Sequence, residues 1–188
     1  MATNSPQSEP PADALVIVST RVPETAMTAD VLGTERRGHG IIIDRDGLVL
    51  TIGYLVAEAD TVWVTARDGR CVPAFVAGYD YETGFGLVRP VDRLGLPAVR
   101  RGDSSTLGAG DRVLVAGSEA PGEHVRARII ARREFAGYWE YVISNAIYTA
   151  PAHNHWAGAG LFDGEARLCG VGSLLVQRMD GEGGVDEA

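Results

Sequence analysis

The residues with the greatest capacity for chemistry lie in one short stretch, Pro151 to Phe162, reading P-A-H-N-H-W-A-G-A-G-L-F. His153 and His155 stand beside a turn built on Gly158 and Gly160, residues that permit positive φ and close backbone approach. Two loop histidines at this spacing can begin a metal site, but the sequence places no third ligand, so they read as loop histidines making ordinary hydrogen bonds. The apex of the turn, Trp156-Ala157, is where a reactive side chain would be displayed, and Ala157 has none. Ser104, Ser105 and Ser118, neighbours of Gly and Asp, read as turn formers rather than nucleophiles. Glu140 and Asp163 have no evident histidine partner, and His39 and His124 read as turn or surface groups. Cys71 and Cys169 stand far apart without metal-ligand spacing, and read as reduced, buried thiols that pack as small hydrophobes. No metal, no cofactor and no second active site is expected.

The elements that must position this stretch are short strands. The chain has 188 residues, 45% of them hydrophobic, enough to bury a sizeable core. Its formal net charge of -8 and pI near 5.0 argue against a nucleic-acid footprint. No apolar run has the length of a membrane span. The N-terminus shows no basic region followed by an apolar core, so no secretory signal is visible and the chain as written reads as cytoplasmic. Residues 1–13 are polar and Pro-rich and read as a flexible leader. Apolar alternations follow at Leu15 to Val18, Ile41 to Ile43, Leu48 to Thr51, Thr61 to Thr65, Val72 to Gly78 and Phe85 to Val88. The D-R-D-G and A-R-D-G turns between them signal hairpins. After a turn-rich link over 89–111 comes a second set at Arg112 to Ala116, Val125 to Ala131, Tyr141 to Asn145, Gly160 to Phe162 and Leu168 to Val176. Only Tyr54 to Ala59 reads as a helical turn. From Asp180 the acidic, Gly-rich tail reads as loop. The spacing predicts an all-β sandwich or barrel pair.

Three stretches together resemble the protease domain of the HtrA (DegP-like) family of trypsin-like serine proteases. They are G-H-G-I-I-I-D-R-D-G-L-V-L-T at 38–51, L-P-A-V-R-R-G-D-S-S-T-L-G-A-G-D-R-V-L-V-A-G at 96–117, and A-G-A-G-L-F-D-G-E-A-R-L-C-G-V-G at 157–172. The G-D-S-S-x-L-x-x-G-D-x-V pattern in the second is the most specific. The resemblance implies two packed antiparallel β-barrels, over 14–95 and 96–179, with a cleft between them and a flexible acidic tail at 180–188. It also implies one more closing strand than the second set supplies, and an envelope location.

The resemblance does not carry the family's chemistry with it. Its catalytic histidine falls on Tyr54 in Thr51-Ile52-Gly53-Tyr54-Leu55-Val56. Its aspartate falls on Gly84 in Thr83-Gly84-Phe85-Gly86-Leu87-Val88, and its serine on Ala157. Acyl transfer needs an oxygen nucleophile, a base near neutral pKa and a carboxylate to orient that base. A phenol with pKa about 10 does not serve as the base. His155 replaces a family glycine whose backbone N–H, with that of Ala157, belongs to the oxyanion hole, so that feature is in doubt too. The expected function is a catalytically inactive scaffold holding a protein or extended peptide in the inter-barrel cleft, where Tyr54 and Trp156 would lie, with Trp139, Tyr138 and Tyr148 as further aromatics. Homo- or hetero-oligomerisation is compatible with that reading. An active serine endopeptidase and a purely structural module of a longer protein are the alternatives.

Overall fold

The computed structural model describes residues 8–118, 124–136, 142–179 and 185–187. Six strands form a closed antiparallel barrel: β1 (Leu15–Arg21), β2 (Glu35–Ile42), β3 (Val49–Ile52), β4 (Thr61–Ala66), β5 (Cys71–Tyr79) and β6 (Phe85–Pro90). Their order round the barrel is β1-β2-β3-β6-β5-β4, and pairing of β1 with β4 closes it. Alternation explains the interior. Val16 and Val18 of β1 meet Val49, Val62, Val64 and Val88 in one buried cluster. These β-branched side chains suit a pleated surface packed on one face.

Along β1 the other face is buried as well. Leu15 packs with Ile41, Leu114, Ala116 and Phe162 in a second cluster that joins the two halves. Phe162 and Ile41 are wholly buried there, each worth about 1.5–3 kcal/mol over the exposed state. The second half is a curled five-stranded sheet made of β7 (Arg112–Ala116), β8 (His124–Ala136), β9 (Val142–Ala150), β10 (Gly160–Phe162) and β11 (Leu168–Val171). Its order is β11-β10-β7-β8-β9, and Val113, Val115, Ala127, Ile129 and Leu161 fill its own core. The expected all-β architecture, a barrel packed on a second, half-closed barrel, is therefore present.

Several local expectations change. β2 begins at Glu35 rather than Ile41, running through Gly38 and Gly40. A Cβ on Gly40 would lie 2.4 Å from Val49 Cγ1, so glycine here marks close packing inside a strand rather than a turn. A short helix, α1 (Ala29–Leu32), was not expected, and the helical turn after β3 is a 3-10 turn at Gly53–Leu55. His39, expected in a turn or at the surface, is 1% exposed on β2. Cys71 is exposed and Cys169 half-buried, so the pair is free but not buried as expected. Part of the acidic tail, expected as loop, forms β13 (Val185–Glu187), which pairs with β12 (Gln177–Met179). Among the described residues no helix is long and apolar enough to cross a membrane.

Candidate functional site

The turn that carries Tyr54 is held from below by a buried cation. Arg36, 6% exposed, donates from Nη1 to the Tyr54 and Ala57 carbonyls at 2.7 and 3.0 Å and from Nε to the Gly33 carbonyl at 3.1 Å. Its Nη2 donates to Thr28 Oγ1, which in turn donates to Glu58 Oε2. Burial draws the Arg36 guanidinium below its ordinary value, opposed by the Glu58 carboxylate. No local pattern reports this network, because its acceptors at Tyr54 and Ala57 lie 18 and 21 residues along the chain. On this support the Tyr54 phenol reaches across to the second half and donates to the Ser173 carbonyl at 2.7 Å.

Gly84 ends the Asp80–Gly84 turn with φ 73°, a conformation that favours glycine. Its carbonyl accepts the Gly53 N–H at 2.7 Å, which fixes it beside the Tyr54 turn. The loop bearing Ala157 comes from the other direction. The Ala157 carbonyl accepts the His39 N–H at 2.8 Å, and a Cβ on Gly38 would meet Leu55 Cδ1 at 2.5 Å and the Ala157 carbonyl oxygen at 2.7 Å. Gly38 is thus the floor on which both the Tyr54 turn and the Ala157 loop rest. Tyr54, Gly84 and Ala157 are brought to one place by these contacts.

What the site offers chemically is limited by its hydrogen bonds. The His155 N–H donates to His153 Nδ1 at 3.0 Å. That bond turns the amide into its own loop. His153 is 3% exposed, and its Nε2 has no hydrogen-bond partner among the described residues. The rings of His39, His153 and His155 lie 5.9 to 6.4 Å apart between centroids. His39 Nδ1 accepts the Ser118 N–H at 3.0 Å. Among the described residues no group of three or more His, Cys, Asp or Glu is arranged to hold a metal ion.

The remaining candidates divide between this centre and its surroundings. Trp156 lines a cavity bounded by both halves, with Ile52, Thr83 and Phe85 from the first and, from the second, Tyr148, whose ring carries the Arg133 guanidinium 4.5 Å from its centroid. The same cavity is lined by Ser173, whose carbonyl accepts the Tyr54 hydroxyl, and by Thr83 and Phe85 on either side of Gly84. Ser105 lies in a turn capped by Asp103, whose Oδ1 accepts its N–H at 2.9 Å. Ser118 is buried and donates to the Leu15 carbonyl instead. Tyr138, Trp139 and Glu140 lie outside the described residues.

A trypsin-like peptidase domain model matches residues 38–171, most of the chain and all three of these positions. The chain belongs to the trypsin-like peptidase family. It is 32% identical over 148 residues to a probable periplasmic serine endoprotease DegP-like of Pseudomonas putida, covering 77% of this chain and 30% of that one. With the serine endoprotease DegS of Salmonella typhimurium it shares 28% identity over 77% of its length and 42% of the relative's. Among solved structures, a Ser-to-Ala form of the HtrA-type protease AlgW with tripeptide aligns at TM-score 0.70 and 25% identity. That alignment covers 94% of this chain and 56% of the other. This peptidase-family chain is thus of HtrA type, and it spans about a third of the length of the first of these relatives.

Two carboxylates brace the family scaffold around the site. Asp163 is 6% exposed; burial pushes its carboxyl up, but the Arg167 amide, the Arg167 guanidinium at 2.7 Å and the Glu165 amide together hold it below its ordinary value. Glu58 is held low by the Thr28 hydroxyl and the Thr28 and Met27 amides. A depressed carboxylate contributes stability above its unfolded pKa, near 3.9 for Asp, and that contribution is lost as pH falls through the lower folded value. Unfolding free energy should therefore be flat near neutral pH and fall in the acid range. Asp163→Asn is expected to cost about 1–3 kcal/mol at neutral pH, towards the lower end because Arg167 is partly solvated, and much less near pH 2. Urea unfolding of both proteins at the two pH values checks this; an equal gap at both would remove the carboxylate from the account.

Proposed function

We propose that this chain is a pseudoprotease domain, a trypsin-like scaffold of HtrA type that binds protein or extended peptide without hydrolysing it. What supports the reading is the resemblance, which sets Tyr54, Gly84 and Ala157 at the positions of base, orienting carboxylate and nucleophile, together with the contacts that bring the three to one place. Ala157 offers no attacking atom. The Tyr54 hydroxyl is engaged with the Ser173 carbonyl across the cleft, and the His155 amide is engaged with His153. Losing the triad leaves at most a residual ~10³–10⁴-fold advantage over water from oxyanion stabilisation and binding, and the second bond weakens even that.

The relatives' names supply the competing reading, a serine endoprotease, and that of the DegP-like relative supplies a compartment, the periplasm. By analogy we place the protein in the cell envelope. The direct test exposes the purified chain to unfolded casein and to a fluorophosphonate, which labels activated serine hydroxyls. No cleavage and no labelling are expected. Hydrolysis that keeps constant specific activity through successive purification steps would overturn the proposal and require a nucleophile elsewhere in the chain.

A further inference from the structure

β5 is apolar on both faces, although only one of them packs inside the barrel. Its sequence, C-V-P-A-F-V-A-G-Y, holds no charged side chain. A strand with one face in water ordinarily alternates apolar with polar, and an unbroken apolar run marks burial on both faces. The inward set Val72, Ala74 and Val76 packs on the barrel core. The outward set Cys71, Pro73, Phe75 and Ala77 is exposed. Neighbouring strands extend this surface. Trp63 of β4 stands opposite Pro73 on one side, and the Val91 N–H donates to the Pro73 carbonyl on the other, so the three form one row across the sheet. Phe75 in the next row is 54% exposed, Val91 63% and Trp63 38%. Single apolar side chains on a surface are ordinary, whereas a contiguous set marks an interaction surface.

Pairing and charge narrow what can cover the patch. Both edges of β5 are occupied, by β4 and β6, so no added strand can bind there and the contact must be face to face. The charges at the border cancel locally. Arg89, opposite Phe75, pairs with Asp44 at 3.5 Å, Arg93 with Asp46 at 2.9 Å and Arg70 with Asp68 at 2.7 Å. Arg67 and Asp92, one of each sign, stand in the flanking loops. The border is therefore neutral on a chain whose net charge is -8. A strongly acidic or basic partner finds no complement in such a rim. An identical patch does, because a two-fold contact sets the same residues against one another and a border of one sign would repel itself.

We propose that the outer face of β4 and β5 is the contact of a two-fold homodimer, in which Trp63, Pro73, Phe75 and Val91 of one copy pack on the same residues of a second. Aromatic side chains near the centre of the patch supply most of the contact energy, and the paired charges form its solvated rim. A patch of this extent falls at the weak end of specific interfaces, so the Kd should be about 10–100 µM. The patch shares no residue with the cleft at Tyr54, Gly84 and Ala157, so the dimer goes beyond the pseudoprotease reading and does not depend on it.

The test is sedimentation equilibrium of the whole chain over concentrations that span this Kd. The mass should rise from 19.9 kDa towards twice that value. Added salt should tighten the dimer, because screening relieves the repulsion between two copies of charge -8. Phe75→Lys, which sets like charges across the contact, should weaken it at least about tenfold. Val142→Lys, at an exposed position outside the patch, should leave it unchanged. Alkylation of Cys71 in the unsubstituted chain, followed by peptide mass, should slow as the dimer forms, which reads the same face without any substitution. Three outcomes overturn the proposal: a monomer at every concentration, which would leave the face to a different polypeptide; a dimer that loosens with salt, which would mean that opposite charges carry it; or a dimer that survives Phe75→Lys with Cys71 reacting at the monomer's rate, which would place the contact elsewhere.

Discussion

A variant carrying Tyr54→His, Gly84→Asp and Ala157→Ser should hydrolyse casein only weakly, and adding His153→Ala and His155→Gly should raise its rate by about 10²–10³-fold. The first three changes put back a base, an orienting carboxylate and a nucleophile, and on side chains alone they would suffice. Backbone geometry is the reason they should not. The amide of residue 155 donates to His153 Nδ1 at 3.0 Å, so it is not free to meet a developing oxyanion until that ring is removed and the loop is given glycine's freedom. The new aspartate also inherits φ 73° at position 84, which costs an L-residue roughly 1–2 kcal/mol, although Asp is among the side chains that tolerate it best. Casein hydrolysis by the three-fold and five-fold variants, measured side by side, decides the matter. Equal rates would mean that the loop adapts unaided and only side chains were lost. Two inert proteins would mean that the cleft itself has been remodelled, which moves attention from chemistry to binding.

The degree to which the chain could be read in advance follows from which interactions are local. Valine-rich alternation marked β1, β4 and β6, and D-G turns marked the hairpins, because strand propensity and turn chemistry are written in neighbouring residues. Alternation reports only Ile41–Ile43 near β2, because Glu35-Arg36-Arg37-Gly38-His39-Gly40 carries no apolar residue to alternate. Its glycines are set by contacts with Val49, Leu55 and Ala157, far away in sequence. The burial of Arg36 and His39 is hidden for the same reason: their partners are carbonyls and amides distant along the chain, and no periodicity reports them. The positions Tyr54, Gly84 and Ala157 were legible through family resemblance. The reach of the Tyr54 hydroxyl to a carbonyl 119 residues later was not.

Gly158→Ala should be among the most destabilising single substitutions in the chain, costing more than about 4 kcal/mol, whereas Gly47→Ala should cost only about 1–2 kcal/mol. Both glycines have positive φ, 77° and 82°, so both replacements place an L-residue in the left-handed region. Their surroundings separate them. A Cβ at position 47 meets nothing within 4 Å, and backbone strain is the whole penalty. A Cβ at position 158 would lie 2.1 Å from the His39 carbonyl oxygen and 2.8 Å from Thr51 Oγ1, which itself donates to that carbonyl. The obstacle is backbone, and it cannot swing aside. His39 also holds the Ala157 carbonyl through its amide and Ser118 through its ring, so a shift of β2 at this point loosens the contact between the halves. Urea unfolding of the two variants provides the measurement. A small loss in Gly158→Ala would show that the loop bearing Ala157 can lift away from β2 and that its contact with the His39 carbonyl does not hold the two halves together.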